Sequence, residues 1–328
     1  MKSSVLLICL LALGGCASSP RYVPQPQPLQ TGHLPPADVA LNVPHLRPCT
    51  DAADRTLRLN TNYPVTVLVH GCKGSAGRFR ALAQLFAFHG QQAVCFSYND
   101  RDSLVSSSGE LIRALDALQT HMHDHQLTVI GHSMGGLVAR KAMESNRLPE
   151  WRGNPAQIQL VTVSAPLAGI KAASPCGSTA LHWLSLGTVP AACWIATGDN
   201  WTEITPQSSF IRQPGTLLPS VQRYLKVVTD ERGSCRRQDA AGNCLQSDRV
   251  FSLAEQNQPL IDDYPQLVNV VVKAGHVEIV GDTQVVPRKL LSILQQQGLL
   301  AATPIERRAA LERLLAALYG PSSQYAGR

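Results

Sequence analysis

Six short runs of apolar, largely β-branched residues recur along the chain. They are VTVLVHG (65–71), AVCFSY (93–98), LTVIG (127–131), IQLVTVSAP (158–166), YLKVVTD (224–230) and LVNVVVKAG (267–275). Runs this continuous leave no polar face for water, so they read as strands covered on both sides, as in a parallel sheet. Stretches with helical spacing lie between them. Residues 78–89 place Phe79, Leu82, Leu85 and Phe86 on one face, and Gly90 follows as a stop. Residues 107–120 open with SSGE and carry Leu111, Leu115 and Leu118, and residues 135–145, 287–298 and 304–320 are further helices. This alternation predicts an α/β chain with a mostly parallel central sheet flanked by helices. Residues 167–222 break the rhythm: they hold Trp183, Trp194, Trp201 and several prolines, without a clear strand. They read as a lid-like insertion over the C-terminal edge of the sheet.

The 328 residues suit one large domain, and 44% hydrophobic with 16% charged residues is the balance of a chain with a sizeable core. The net charge of +6 is mild, and its basic residues are scattered apart from Arg236 and Arg237, so no nucleic-acid partner is expected. The first residues, MKSSVLLICLLALGGCASSP, carry one lysine and then an apolar run from Val5 to Leu13. That run is too short to span a bilayer and has the form of a signal peptide's apolar region. Leu13-Gly14-Gly15-Cys16 resembles the lipobox of bacterial lipoproteins, which implies cleavage before Cys16 and lipidation of its thiol. Ala17, in place of an aspartate, points by the same analogy to the outer membrane, so the expected location is the cell envelope, with the membrane as a partner through the lipid anchor. Residues 1–15 are thus expected as the signal peptide, and 16–54 as the anchor and a Pro/Gln-rich extended tether. Residues 55–328 are the expected folded domain, with a hydrophobic C-terminal helix (309–318) docked on it.

Nine cysteines are present. No C-x-x-C pair suggests zinc or redox chemistry, and an exported chain meets conditions in which disulfides persist. With Cys9 in the signal peptide and Cys16 lipidated, seven remain; neighbours along the chain pair as Cys235–Cys244, Cys176–Cys193 and Cys72–Cys95, which leaves Cys49 as the odd one.

The run LTVI leads into Gly131-His132-Ser133-Met134-Gly135-Gly136 and then LVARKAM. This is G-x-S-x-G in its required context, strand before and helix after. A serine on so sharp a turn is held in strained backbone, glycines beside it avoid collisions, and the helix N-terminus leaves N–H groups next to a reacting carbonyl. With VTVLVHG, VTVSAPLAG and VVKAGHVEIV, the motif resembles the α/β-hydrolases of bacterial lipase/esterase type over roughly residues 60–300. The resemblance implies an α/β-hydrolase fold and a Ser-Asp/Glu-His triad in that chain order. Ser133 is the expected nucleophile. His276 is the expected base, because it directly follows the last strand and no histidine follows it. His132 shapes the elbow, and His70 opens the loop where lipases place the oxyanion hole. His121, His123 and His125 could cluster on a metal, but a solvated helix end is the simpler reading, so no metal and no organic cofactor are implied.

The acid has to fall between YLKVVTD and His276. Asp230, Glu231, Asp239, Asp248, Glu255, Asp262 and Asp263 are the candidates. Asp248, in SDRVFSLAEQ, resembles the lipase pattern of an acid on a loop before a helix and is the expected member, with Asp230 second. The backbone N–H groups of Met134 and Cys72 are the expected oxyanion donors. The implied reaction is hydrolysis of a carboxylic ester, a lipid or a smaller one, through an acyl-enzyme. A phospholipase or acyltransferase of the envelope is the alternative. A non-catalytic binding protein on the same scaffold is the reading from a different class, separable by labelling with a serine-directed fluorophosphonate.

Overall fold

The computed structural model describes residues 23–145, 157–282 and 285–320. The expected signal peptide and Cys16 lie outside the described residues. In chain order the strands are β1 (Val39–Leu41), β2 (Leu46–Arg47), β3 (Leu57–Leu59), β4 (Val65–Val69), β5 (Gln92–Phe96), β6 (Gln126–His132), β7 (Gln157–Val163), β8 (Val221–Asp230), β9 (Cys235–Gln238), β10 (Cys244–Ser247) and β11 (Leu267–Lys273). The helices used below are α1 (Arg80–Phe88), α2 (Leu104–Gln119), α3 (Met134–Ala142), α4 (Thr179–Leu184), α5 (Thr188–Thr197), α6 (Ser209–Arg212), α7 (Leu253–Gln256), α8 (Pro259–Asp262), α9 (Arg288–Gln296) and α10 (Arg308–Tyr319).

Seven strands form the central sheet in the order β11-β8-β7-β6-β4-β5-β2. The six strands read from the apolar runs are mutually parallel. Only β2, at the edge, runs antiparallel to its neighbour β5. Strand alternation divides the core in two. Val67, Val69 and Val129 face one layer, with Leu111, Leu115 and Leu118 of α2 and Leu137 and Val138 of α3. Leu68, Ile130 and Val161 face the other, with Leu82 and Leu85 of α1, Leu290 and Leu294 of α9 and Leu315 of α10. Adjacent residues of one strand thus serve opposite cores, which is why the runs are apolar throughout. The C-terminal helix docks through Leu315 and Tyr319, both buried.

Three features differ from the sequence expectations. Residues 23–54, expected as an extended tether, lie against the domain. Gln30 and Gln84 exchange two hydrogen bonds, Gln30 N–H to Oε1 at 2.8 Å and Gln84 Nε2 to the Gln30 carbonyl at 2.9 Å. Arg80 donates to the carbonyls of Gln27 and Pro28, and β1 pairs with β3. A Pro/Gln-rich composition argues against folding alone; it does not prevent backbone groups from being satisfied by a neighbouring surface.

The second difference is in the disulfides. Cys176–Cys193 and Cys235–Cys244 are bonded as expected, but Cys95 is bonded to Cys49 rather than to Cys72. The sheet register explains it: Arg47 of β2 lies opposite Cys95 of β5, and Cys49 follows two residues later.

The third is in the insertion between β7 and β8. It contains α4, α5 and α6, and Cys176–Cys193 ties the short turn before α4 to α5. Trp183, Leu184 and Leu186 are 80%, 81% and 92% exposed, so they are neither extra core nor, as shown next, wall of the site.

Candidate active site

The nucleophile turn leaves β6, the middle strand of the sheet. Ser133 adopts φ 56 and ψ −129, a positive-φ conformation unusual for a residue with a side chain. Its N–H donates to the Val163 carbonyl at 2.9 Å, which ties the strained residue to β7. The flanking glycines have steric causes. A Cβ on Gly131 would lie 2.3 Å from the Gly135 carbonyl oxygen, and one on Gly135 would lie 2.3 Å from that of Val69. The turn can therefore pack under β4 only without those side chains. Helix α3 begins at Met134, whose N–H, at the first helical position, has no acceptor within the helix.

His276 follows β11. Its Nε2 lies 3.0 Å from Ser133 Oγ. Its Nδ1 lies 3.1 Å from Glu231 Oε1 and 2.8 Å from Ser164 Oγ. A carboxylate only accepts, so Nδ1 carries the proton, and Nε2 is left to accept from the Ser133 hydroxyl. The Ser164 hydroxyl donates to Glu231 Oε1 at 2.8 Å and accepts from the ring. The Nδ1 proton is thus shared between the carboxylate and a serine. Phe251 packs edge-on to the His276 ring at 4.9 Å.

The acid beside the imidazole is Glu231, one residue beyond β8, and not Asp248. Glu231 is 2% exposed. Its Oε2 accepts from the N–H groups of Val250 at 2.5 Å and Phe251 at 2.8 Å. Burial pushes its carboxyl upward, but the hydrogen bond and charge of His276 and these two N–H groups outweigh it, so Glu231 is held below its ordinary value.

Asp248 sits beneath the base instead of beside its ring. Its backbone carbonyl accepts from His276 N–H at 2.9 Å. Its carboxylate accepts from Val277 N–H at 3.1 Å and Glu278 N–H at 2.9 Å, so it caps the turn that carries the histidine. Burial raises its pKa, and the N–H groups, His276 and Arg236 only partly offset this. Asp230 turns away into a fork with Arg232, with both hydrogen bonds at 2.7 Å. Asp239 closes a turn with Asn243, Glu255 forms a capping box with Ser252 on α7, and Asp262 of α8 pairs with Lys226.

The remaining histidines are supports. His132 is 5% exposed, and burial together with neighbouring His276 pushes its pKa well below the ordinary value. As a neutral ring it donates from Nε2 to the His276 carbonyl at 2.9 Å. His70, lowered by burial, donates from Nδ1 to the Gly71 carbonyl at 2.9 Å and stacks on Tyr98 at 4.5 Å. These contacts shape the loop after β4. Gly71 packs so close to the nucleophile that a Cβ there would lie 2.7 Å from that of Ser133. Cys72 follows on the rim of the same cleft. His121, His123 and His125 do not converge. His123 lies 3.1 Å from Thr61 Oγ1 and His125 3.2 Å from Gln119 Oε1. Among the described residues no three His, Cys, Asp or Glu side chains are grouped to hold a metal ion.

The cleft over Ser133 and His276 has a volume of about 70 Å³. Among the described residues Ile170 is the one member of the insertion that lines it, and none of the three tryptophans does. Ser164 and the Glu231 assignment were not read from the sequence. The available signal was chain position: Ser133, Ser164, Glu231 and His276 each stand at or just beyond the C-terminal end of a parallel strand, where open α/β sheets place their sites.

Residues 75–172 match the family described as "Alpha/beta hydrolase of unknown function (DUF900)", a stretch that includes the nucleophile turn. Among curated proteins none matches the chain. Among solved structures, the mature form of the Bacillus licheniformis lipase BlEst2 is similar, with 16% identity, 73% of this chain and 93% of that chain covered and a TM-score of 0.47. Esterase B from Lactobacillus rhamnosis shares 12% identity over 97% of this chain and 94% of its own, with a TM-score of 0.42. MGS-MChE2, an α/β hydrolase from the metagenome of sediments of the Mar Chica lagoon in Morocco, shares 15% over 72% and 90%, also with a TM-score of 0.42. The parallel sheet, the strand–serine–helix turn on its central strand and the family match over that turn together give this chain the α/β-hydrolase fold.

Proposed function

We propose that the protein is a serine hydrolase that cleaves carboxylic esters through an acyl-enzyme, with Ser133, His276 and Glu231 as its triad. The observation that carries this reading is the unbroken hydrogen-bonded line from Ser133 Oγ to His276 Nε2 at 3.0 Å and from Nδ1 to Glu231 Oε1 at 3.1 Å. In the forward step His276 takes the Ser133 proton as Oγ attacks the carbonyl carbon. Glu231 holds the imidazole in the productive tautomer and stabilises its cation. The tetrahedral oxyanion is received by the N–H groups of Met134 and Cys72. His276 then protonates the departing alcohol, and a water deprotonated by the same ring releases the acid.

The small cleft favours esters whose reacting end is slender. Drug-sized ligands occupy roughly 300–1,000 Å³, so a long acyl chain would extend beyond these walls. Export as a lipoprotein through Cys16, with the chain held at the outer membrane of the cell envelope, accompanies this reading. It is supported by the lipobox-like sequence and by disulfides suited to an oxidising compartment.

Hydrolysis of p-nitrophenyl esters from C2 to C16, beside Ser133→Ala, tests the proposal. Turnover that vanishes in the variant supports it, and the preferred chain length separates esterase from lipase. No turnover at any length and no fluorophosphonate labelling of Ser133 would instead favour the binding-protein reading.

A further inference from the structure

The imidazole of His276 meets a serine hydroxyl at each of its nitrogens. Ser133 Oγ lies 3.0 Å from Nε2, and Ser164 Oγ lies 2.8 Å from Nδ1. The second contact is shorter than the 3.1 Å between that nitrogen and Glu231. Both serines are built in the same way. Each stands one residue beyond the C-terminal end of its strand, Ser133 after β6 and Ser164 after the neighbouring β7. Each has positive φ, 56 for Ser133 and 47 for Ser164, where a residue with a side chain is strained. Each is tied there by its own N–H to the next strand. Ser133 donates to the Val163 carbonyl and Ser164 to the Val227 carbonyl, both at 2.9 Å. The first strained turn aims the nucleophile. The second has a different task, because Ser164 is fully buried and is not among the residues that line the cleft.

Every hydrogen-bonding direction of the Ser164 hydroxyl is used. Its proton goes to Glu231 Oε1 at 2.8 Å. Its oxygen accepts from His276 Nδ1 and from Thr229 Oγ1, the latter at 2.7 Å. Thr229, near the end of β8, is itself fixed by Gln256 of α7. Its N–H donates to Gln256 Oε1 at 2.9 Å, and Gln256 Nε2 donates to its carbonyl at 2.8 Å. Ser164, Thr229 and Gln256 are all buried. A hydroxyl with one proton and two lone pairs has no direction left over, so it cannot rotate without breaking a bond. A ring held by Glu231 alone could pivot about the Nδ1–Oε1 line. A second, immobile acceptor on the same proton removes that freedom.

We infer that Ser164 is a positioning residue for the base: it shares the Nδ1 proton with Glu231, fixes the plane of the imidazole and so keeps Nε2 directed at Ser133 Oγ. The inference rests on the serine-hydrolase reading above and adds a residue to that same site. Ser164 touches neither ester nor nucleophile and acts through His276. Its own proton also satisfies part of Glu231, so the carboxylate holds the ring proton less tightly than it would as the sole acceptor.

The test compares Ser164→Ala and Ser164→Gly in the full-length protein, with a short p-nitrophenyl ester. Both variants lack the hydroxyl, and only glycine also relieves the positive φ. Exhaustive fluorophosphonate labelling counts the competent sites, so that kcat is read per folded molecule. Each variant should lower kcat by about 10–100-fold, the worth of one hydrogen bond to a charged group. KM should stay within about twofold of the parent value, because Ser164 does not meet the ester. In proton NMR the low-field signal of His276 Nδ1–H should move further downfield in both variants, since the carboxylate becomes its sole acceptor. An unchanged kcat in both would overturn this inference while leaving the esterase reading intact. A kcat restored in glycine but not in alanine would also overturn it, by making the backbone responsible rather than the hydroxyl. A rise in KM alone, or an Nδ1–H signal that does not move, would count against it equally. No turnover by the parent chain, with no labelling of Ser133, would remove both readings.

Discussion

At the scale of single residues, the site separates two buried carboxylates by task. Glu231 faces the imidazole, whereas Asp248 holds the backbone beneath it. Glu231→Gln should therefore lower kcat by about 10³–10⁴ by disfavouring the productive tautomer, measured with a short p-nitrophenyl ester. Asp248→Asn should chiefly weaken the fold, by about 1–3 kcal/mol in urea unfolding, because an amide NH₂ would face N–H donors. Equal losses of kcat in two folded variants would reverse this assignment. The two groups also act oppositely with pH. Glu231 is lowered from 4.5, so its contribution to stability is present above that value and lost as pH falls through its folded value. Asp248 is raised from 3.8, so its contribution is present below that value and lost as pH rises through its folded value. Urea midpoints from pH 6 to 3 should thus decline less steeply in Glu231→Gln than in the parent chain. Ser133 and His276 were legible because a strand–turn–helix motif and the last strand end place them. Glu231 was not: it adjoins Asp230 at a strand end, and only the fold shows which of the two turns toward the ring.

At the scale of elements, every strand of the parallel sheet was legible because burial on both faces writes an uninterrupted apolar run. Strand β2 was not, since two residues, Leu46 and Arg47, carry no periodicity. Helices α4 and α6 are likewise too short to display a face. Helix α4 has no buried residue and α5 only Cys193, which the Cys176–Cys193 bridge ties to the turn before α4. In the loop-closure picture, a bridge across 17 residues offsets about 3 kcal/mol of chain entropy. Replacing both cysteines by serine should speed amide hydrogen exchange in residues 179–197 while leaving that of β6 and β7 unchanged. Acceleration throughout the sheet would show that the insertion supports the core after all. The nucleophile turn makes a sharper demand. Gly135→Ala would drive a methyl group into the Val69 and His70 carbonyls, so it should remove fluorophosphonate labelling even in whatever fraction of the protein folds.

For the whole molecule, the long bridge is Cys49–Cys95, which closes 46 residues. The same loop-closure relation gives about 4 kcal/mol, and for a domain of this size that corresponds to a fall in Tm on the order of 10 °C. Cys49→Ser with Cys95→Ser should show that loss by differential scanning calorimetry. A shift of about 1 °C would mean that the edge pairing of β2 with β5 is sufficient alone. This bridge was illegible because nearness in sequence favoured Cys72, whereas nearness in the sheet is set by a strand that had not been recognised. The same logic applies to residues 23–54, whose composition describes what they cannot do alone and not what they lie against.

That covalent link also decides how the molecule answers tension. Tension arriving along the chain at Cys49 meets this bridge before it meets β3. At Cys49 the pull would pass through sulfur into Cys95 on β5, which is separated from the nucleophile strand β6 by β4. Force passing through this bridge would enter the domain on β5, at a bond that does not stretch.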